Sequence, residues 1–140
     1  MITFDGKQIK LMIGDYVSFN DRIMRVLAIG EKNTHDDHPL TLHEIGGGIW
    51  QNIPYSDVWP ICITEDMLFN NGWEKSENYT DFFPEYRLYL DKKRTKFLEI
   101  RKHDTHVYRY CGLTGTVGFL RYVHQLQRAI RLCGGKEIVL

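Results

Sequence analysis

Near the C-terminus, Phe119, Val123, Leu126, Ile130 and Cys133 follow one another at spacings of four, three, four and three. That is the period of a helix with one face in a core. It predicts a helix opening at Thr116 as N-cap and ending at Gly134-Gly135. Upstream the apolar pattern changes. Residues 86–91 (YRLYLD), 96–102 (KFLEIRK) and 107–111 (VYRYC) read as three strands joined by polar turns at 92–95 and 103–106. Tyr86, Leu88 and Leu90 share one face, as do Leu98 and Ile100, so the sheet offers the helix an apolar side to cover. Residues 136–140 (KEIVL) add an edge strand.

Before that sheet, Thr64 is placed to cap a short helix over residues 65–71, with Glu65 and Asp66 in the first turn and Gly72 as the stop. Residues 76–84 are the linker candidate. The N-terminal part reads as strands at 9–19 and 22–29 around the turn-prone pair Asn20-Asp21. Ile23, Val26 and Ile29 do not alternate strictly, which points to a bulge or a strand buried on both faces. A polar loop at 30–48 holds a short strand at 40–42; strands at 49–53 and 61–63 flank the turn 54–60. The expected fold is α+β: a small β-rich, barrel-like module over residues 1–63, then an α+β module over 64–140 with a three-stranded antiparallel sheet packed against the C-terminal helix.

Composition sets the class. With 140 residues, 43% hydrophobic and 26% charged, the chain is folded and globular, one compact domain or two very small modules. No apolar run approaches the roughly 20 residues of a membrane span, and MITFDGKQIK lacks the apolar core of a signal peptide. Cys62, Cys111 and Cys133 are odd in number and without CxxC spacing, which disfavours a disulfide framework. A reduced, cytoplasmic setting and no membrane partner are expected.

The zero net charge is a cancellation. Residues 1–85 hold 6 Lys and Arg against 14 Asp and Glu; residues 86–140 hold 12 against 4. Such a split points to a polar partner surface or to two halves that neutralise each other, and it argues against a protein that coats nucleic acid uniformly.

The order IGDYV (residues 13–17), SDVWPICIT (56–64), EDMLFNNGW (65–73) and YVHQLQ (122–127) resembles a family of small proteins of unassigned function found in Bacteroidetes genomes, their phages and mobile elements. In that family an IGNYV-like strand leads to a PIPLT segment, a helix ending in GF, two or three strands and a helix carrying YVHQLQ. The resemblance covers most of the chain; residues 30–48 and 104–118 have no clear counterpart. Residues 128–132 (RAIRL) depart from a family pattern that is commonly aromatic and uncharged there. The family brings no activity with it. Its context implies a phage or mobile-element protein.

The residues offer several chemistries, each with a plainer reading. His35–His38 and His103–His106 are His-x-x-His pairs that could hold zinc if their loops met, but both lie in turns where His and Asp serve local hydrogen bonds. No metal or cofactor is expected. Cys111 lies near His106 or His124 without a nucleophile signature, and Cys62 and Cys133 read as small core residues. Residues 112–118 (GLTGTVG) link strand to helix but match no phosphate-loop pattern. Asp36-Asp37 and Glu65-Asp66 define no general acid and base. No catalytic residue is assigned, and the chain is not expected to be an enzyme.

The most informative surface is basic and partly aromatic. Arg121, His124, Arg128 and Arg131 form one stripe along the last helix, at spacings of three, four and three. The sheet face away from Leu88, Leu90, Leu98 and Ile100 carries Arg87, Tyr89, Phe97, Arg101 and Arg109. Cations with flat rings are what single-stranded nucleic acid needs, and a solvated helix face with a covered sheet side is the plainer account. The expectation is a non-catalytic macromolecule-binding protein with a protein or ribonucleoprotein partner. Its phage context suggests an inhibitor of a CRISPR-type defence nuclease or of its guide RNA. The alternative is a housekeeping RNA- or DNA-binding module whose N-terminal barrel acts like Tudor or KOW domains.

Overall fold

The computed structural model describes residues 2–4, 7–31, 38–76, 84–104, 107–111 and 117–140. The chain divides into two compact units, Met1–Ile61 and Cys62–Val139.

In the first unit, β1 (Ile2–Phe4) and β2 (Lys7–Ile9) form a two-stranded antiparallel sheet. Five further strands follow: β3 (Tyr16–Phe19), β4 (Arg22–Ile29), β5 (Leu40–Glu44), β6 (Ile49–Ile53) and β7 (Trp59–Pro60). They form an antiparallel sheet in the order β6-β5-β4-β3-β7, with a 3-10 turn at Tyr55–Asp57 before the last strand. Asn20 and Asp21 close the β3–β4 hairpin with φ of 50° and 59°. Positive φ at both central residues is the geometry of a type I′ turn, whose twist matches that of the strands, and Asn and Asp tolerate it best after Gly. The expected bulge is present, as a register shift between Val26 and Ala28. Facing it, Gly14 and Asp15 form a turn pinned to Val26 by two backbone bonds of 2.7 and 2.9 Å. The core is built on Leu11, Val17, Phe19, Met24, Val26, Leu40, Leu42, Ile53, Tyr55 and Val58.

In the second unit, Thr64 caps α1 (Glu65–Asn70), its hydroxyl accepting from the Met67 N–H at 3.3 Å, and Gly72 stops it at a φ of 83°. The sheet comprises β8 (Glu74–Lys75), β9 (Glu85–Tyr89), β10 (Phe97–Asp104), β11 (Val107–Cys111) and β12 (Val117–Leu120), antiparallel in the order β12-β11-β10-β9-β8. The final helix, α2, spans Val123–Leu132. Tyr86, Leu88, Leu98, Ile100, Tyr108 and Leu120 of the sheet are buried, as are Val123, Leu126, Ala129 and Ile130 of α2. The Tyr110 hydroxyl lies 3.6 Å from Cys133 Sγ, joining β11 to the end of the helix.

The fold is α+β with two five-stranded antiparallel sheets, and several details depart from the sequence reading. The second sheet has five strands rather than three. Its added edge is Val117–Leu120, the segment whose spacing suggested the start of α2. Phe119 at four residues before Val123 mimics a helical repeat, yet Gly118 is a poor helix former and Val117 and Phe119 suit a strand. The helix opens at Val123 after Tyr122, where the Gln125 side-chain carbonyl accepts the N–H groups of Arg121 and Tyr122 at 2.8 and 3.0 Å. Thr116, expected as the cap, lies outside the described residues. Instead of a strand at 61–63, Trp59–Pro60 pairs with β3, and Cys62 makes an isolated bridge to Tyr122. Residues 136–140 form no strand; Val139 is clamped by both amide atoms of Asn71, at 2.7 and 3.1 Å.

Candidate nucleic-acid interface

Alternation along β9, β10 and β11 sends Tyr86, Leu88, Leu98, Ile100 and Tyr108 to the buried side and the charged residues to the other. Register then arranges the outer face in rows. Glu85 pairs with Arg101, Arg101 with Arg109, and Arg109 with Phe119, one residue from each of four strands. The next row runs Glu74, Arg87, Glu99, Cys111 and Val117, and a third pairs Tyr89 with Phe97.

The rows differ in how their charges are used. At the β8–β9 side the cations are committed. Arg87 lies 3.8 Å from Glu85 and 3.6 Å from Glu99, and its guanidinium sits over the Phe97 ring at 4.5 Å. Arg94 pairs with Glu74 at 2.7 Å and covers the Tyr89 ring at 4.0 Å. Tyr89 and Phe97, expected as stacking rings for bases, therefore each present a face to a guanidinium and lie tilted against one another, 5.7 Å apart. Glu85 is only 1% exposed. Burial first, and then the adjoining Glu99 carboxyl, push its pKa up to about 7. A carboxyl that titrates near neutrality suits acid–base catalysis, but enclosure this complete denies a substrate access. It lies against Arg87 and helps to fix that guanidinium.

At the opposite side the surface is open. Phe119 is 58% exposed, its ring centroid is 5.3 Å from that of exposed His103, and Arg109 beside it is exposed as well. Arg101 is half-buried in the same row. Phe119 was read from the sequence as helix core, and His103 as a turn residue of a His pair; the structure joins them into the most accessible ring and cation group of this face. The strand-like alternation of VGFL after a glycine-rich turn was the signal that could have found it.

The predicted basic helix stripe does not form. Arg121 precedes the helix. His124 is 1% exposed, with its ring stacked 5.8 Å from that of Tyr122. Burial, helped by Arg128, lowers its pKa to about 4, so it is neutral at pH 7. Arg128 is half-buried, and Arg131 pairs with Glu137 at 3.4 Å. α2 carries buried residues around most of its circumference, so no continuous cationic face is left to a partner.

The remaining candidates resolve simply. His35, His106, Asp36-Asp37 and residues 112–116 lie outside the described residues. His38 Nδ1 bonds the Gly30 carbonyl at 2.8 Å. Among the described residues no group of three or more His, Cys, Asp or Glu is arranged to hold a metal ion. The three cysteines are free thiols; Cys62 is exposed rather than core, Cys111 is exposed, and Cys133 is half-buried. Glu65 accepts a hydrogen bond from the Tyr86 hydroxyl; burial first, and then this bond, raise the Tyr86 pKa. Among the described residues no helix is long and apolar enough to cross a membrane. Comparisons with protein-family models, curated proteins and solved structures found no match.

Proposed function

We propose that this chain is a non-catalytic macromolecule-binding protein that takes single-stranded RNA on the open corner of its second sheet. The observation that carries the reading is Phe119, a ring 58% exposed on an antiparallel sheet and in register with Arg109. A base stacks on such a ring, and guanidinium groups take the flanking phosphates. His103 and Arg101 extend the same corner. The resemblance to phage and mobile-element proteins supports reading it as an inhibitor that grips the guide RNA of a CRISPR-type ribonucleoprotein.

A housekeeping nucleic-acid module is the second reading, and the first unit favours it. Strand order β6-β5-β4-β3-β7, a 3-10 turn before the last strand, and register shifts in the β4–β5 and β5–β6 pairings support a small, bent barrel of the Tudor or KOW kind. The test is fluorescence anisotropy of a labelled single-stranded RNA, its duplex and the corresponding DNA over a salt series. Preference for the single strand supports the proposal, with a salt slope that drops by about 0.7 log units for Arg109→Ala. Absence of single-strand binding at low salt refutes it. Isolation from phage-infected cells then separates the two readings by whether a defence nuclease or ordinary cellular RNA is recovered.

A further inference from the structure

We propose that the first unit carries a separate pocket for one unstacked pyrimidine base. A cavity of about 120 Å³ is lined by Phe19, Asn20, Arg22, Met24 and Trp50, at the hairpin end of β3 and β4. Register explains the grouping. Phe19 faces Arg22 across the hairpin, Met24 faces Glu44, and Trp50 pairs with Leu42, so all lie on one side of the curved sheet. Phe19 and Trp50 meet edge to face with centroids 5.8 Å apart and form an aromatic corner, with Met24 lining the same cavity.

Size and polarity choose the ligand. A cavity of about 150 Å³ encloses a benzene ring, so this smaller, partly open one takes a single six-membered ring at its mouth rather than a fused pair. Two polar groups stand beside the aromatic corner. Asn20, held in the turn at a φ of 50°, presents an amide that is both donor and acceptor. Among the described residues Arg22 is engaged through Nη1 alone, by Glu44 at 3.2 and 3.3 Å, which leaves the Nη2 and Nε donors of the fork to a ligand. A pyrimidine supplies ring carbonyls for the guanidinium and an N–H or N3 acceptor for the amide. An apolar peptide side chain satisfies neither. The charge of this unit also shapes the mode of binding. Residues 1–61 hold five Lys and Arg against eight Asp and Glu, so recognition rests on stacking and hydrogen bonds, with little help from phosphate attraction. This site is independent of the Phe119 corner.

The experiment is a titration of the whole protein with uridine, followed by the indole N–H resonance of Trp50, which is assigned by its loss in Trp50→Leu. Uridine should shift this resonance with millimolar affinity, and uridine 5′-monophosphate should bind within about threefold of the nucleoside. The affinity should change little between about 0.05 and 0.5 M salt, unlike RNA binding at the sheet corner. Asn20→Asp keeps a residue that tolerates positive φ while removing the amide donor, and should weaken uridine about tenfold. Phe119→Ala should leave the uridine response intact, which separates failure at this pocket from failure at the corner. The proposal is overturned if uridine produces no shift up to about 50 mM. It is equally overturned if N-acetylphenylalanine amide binds more tightly than uridine, or if Asn20→Asp binds uridine as wild type does.

Discussion

Acid should destabilise this protein through His124 in a defined window. The side chain is 1% exposed, and among the described residues neither ring nitrogen has a hydrogen-bond partner. Its pKa is lowered from 6.5 to about 4, first by burial and then by Arg128. The unfolded chain protonates this imidazole below pH 6.5, whereas the folded chain resists until about pH 4. Between those values the unfolded state binds more protons. Stability is therefore complete above pH 6.5, falls as the pH drops, and levels off below about 4. A difference of about 2.5 units is worth about 3 kcal/mol, a large part of the stability of a small domain. Glu85 has the opposite linkage, because its pKa is raised to about 7 and its contribution is lost as pH rises. The absolute stability curve mixes the two. The difference between wild type and His124→Phe isolates one, since Phe keeps a ring against Tyr122 and cannot titrate. Urea unfolding of both proteins at half-unit intervals from pH 4 to 7 measures it. Wild type should lose about 3 kcal/mol relative to the variant across that range. Parallel curves would refute the burial of a neutral imidazole.

Glu85→Gln makes the protonated state permanent; the variant should match wild type below about pH 4.5, gain stability over it as the pH rises from there to about 7, and hold that gain above, by the same unfolding assay. Asn71→Ala removes the amide that spans the Met67 carbonyl at 2.9 Å and both polar backbone atoms of Val139, and should cost about 1–3 kcal/mol in urea unfolding. Asp21→Gly should leave stability unchanged or slightly raised, while Asp21→Val, forcing a β-branched residue to a φ of 59°, should lower it by about 1–2 kcal/mol in thermal melts.

The sequence was most legible where local chemistry and packing agree. Arg22–Ile29, Ile49–Ile53 and Val107–Cys111 coincide with apolar runs bounded by turn signals, and Thr64 caps its helix because a hydroxyl at that position satisfies a free N–H. Legibility failed at 117–121. Phe119 there continues the helical spacing of Val123, Leu126, Ile130 and Cys133, and pairing with β11 decided the matter through contacts that no local window contains. That single misreading carried others with it. It put Phe119 in the core, Arg121 on the helix and His124 on a surface, whereas the register sends Phe119 outward and the helix buries His124. Arg87, Tyr89, Arg101 and Arg109 were placed on the correct face because strand alternation is a local rule. Their commitments were not legible, since Glu99 meets Arg87 across strands and Arg94, paired with Glu74, reaches Tyr89 from the following turn.

The most direct test of RNA binding at the sheet corner is the affinity of single-stranded RNA for Phe119→Ala measured beside Phe119→Tyr. Phe119 is exposed, so both variants should melt within a few degrees of wild type. Loss of one stacking ring is worth about 1–3 kcal/mol, so Phe119→Ala should bind about 5- to 150-fold more weakly, while Phe119→Tyr, which keeps the ring, should stay close to wild type. Equal affinity of all three proteins would contradict the assignment of this corner as the RNA-binding surface.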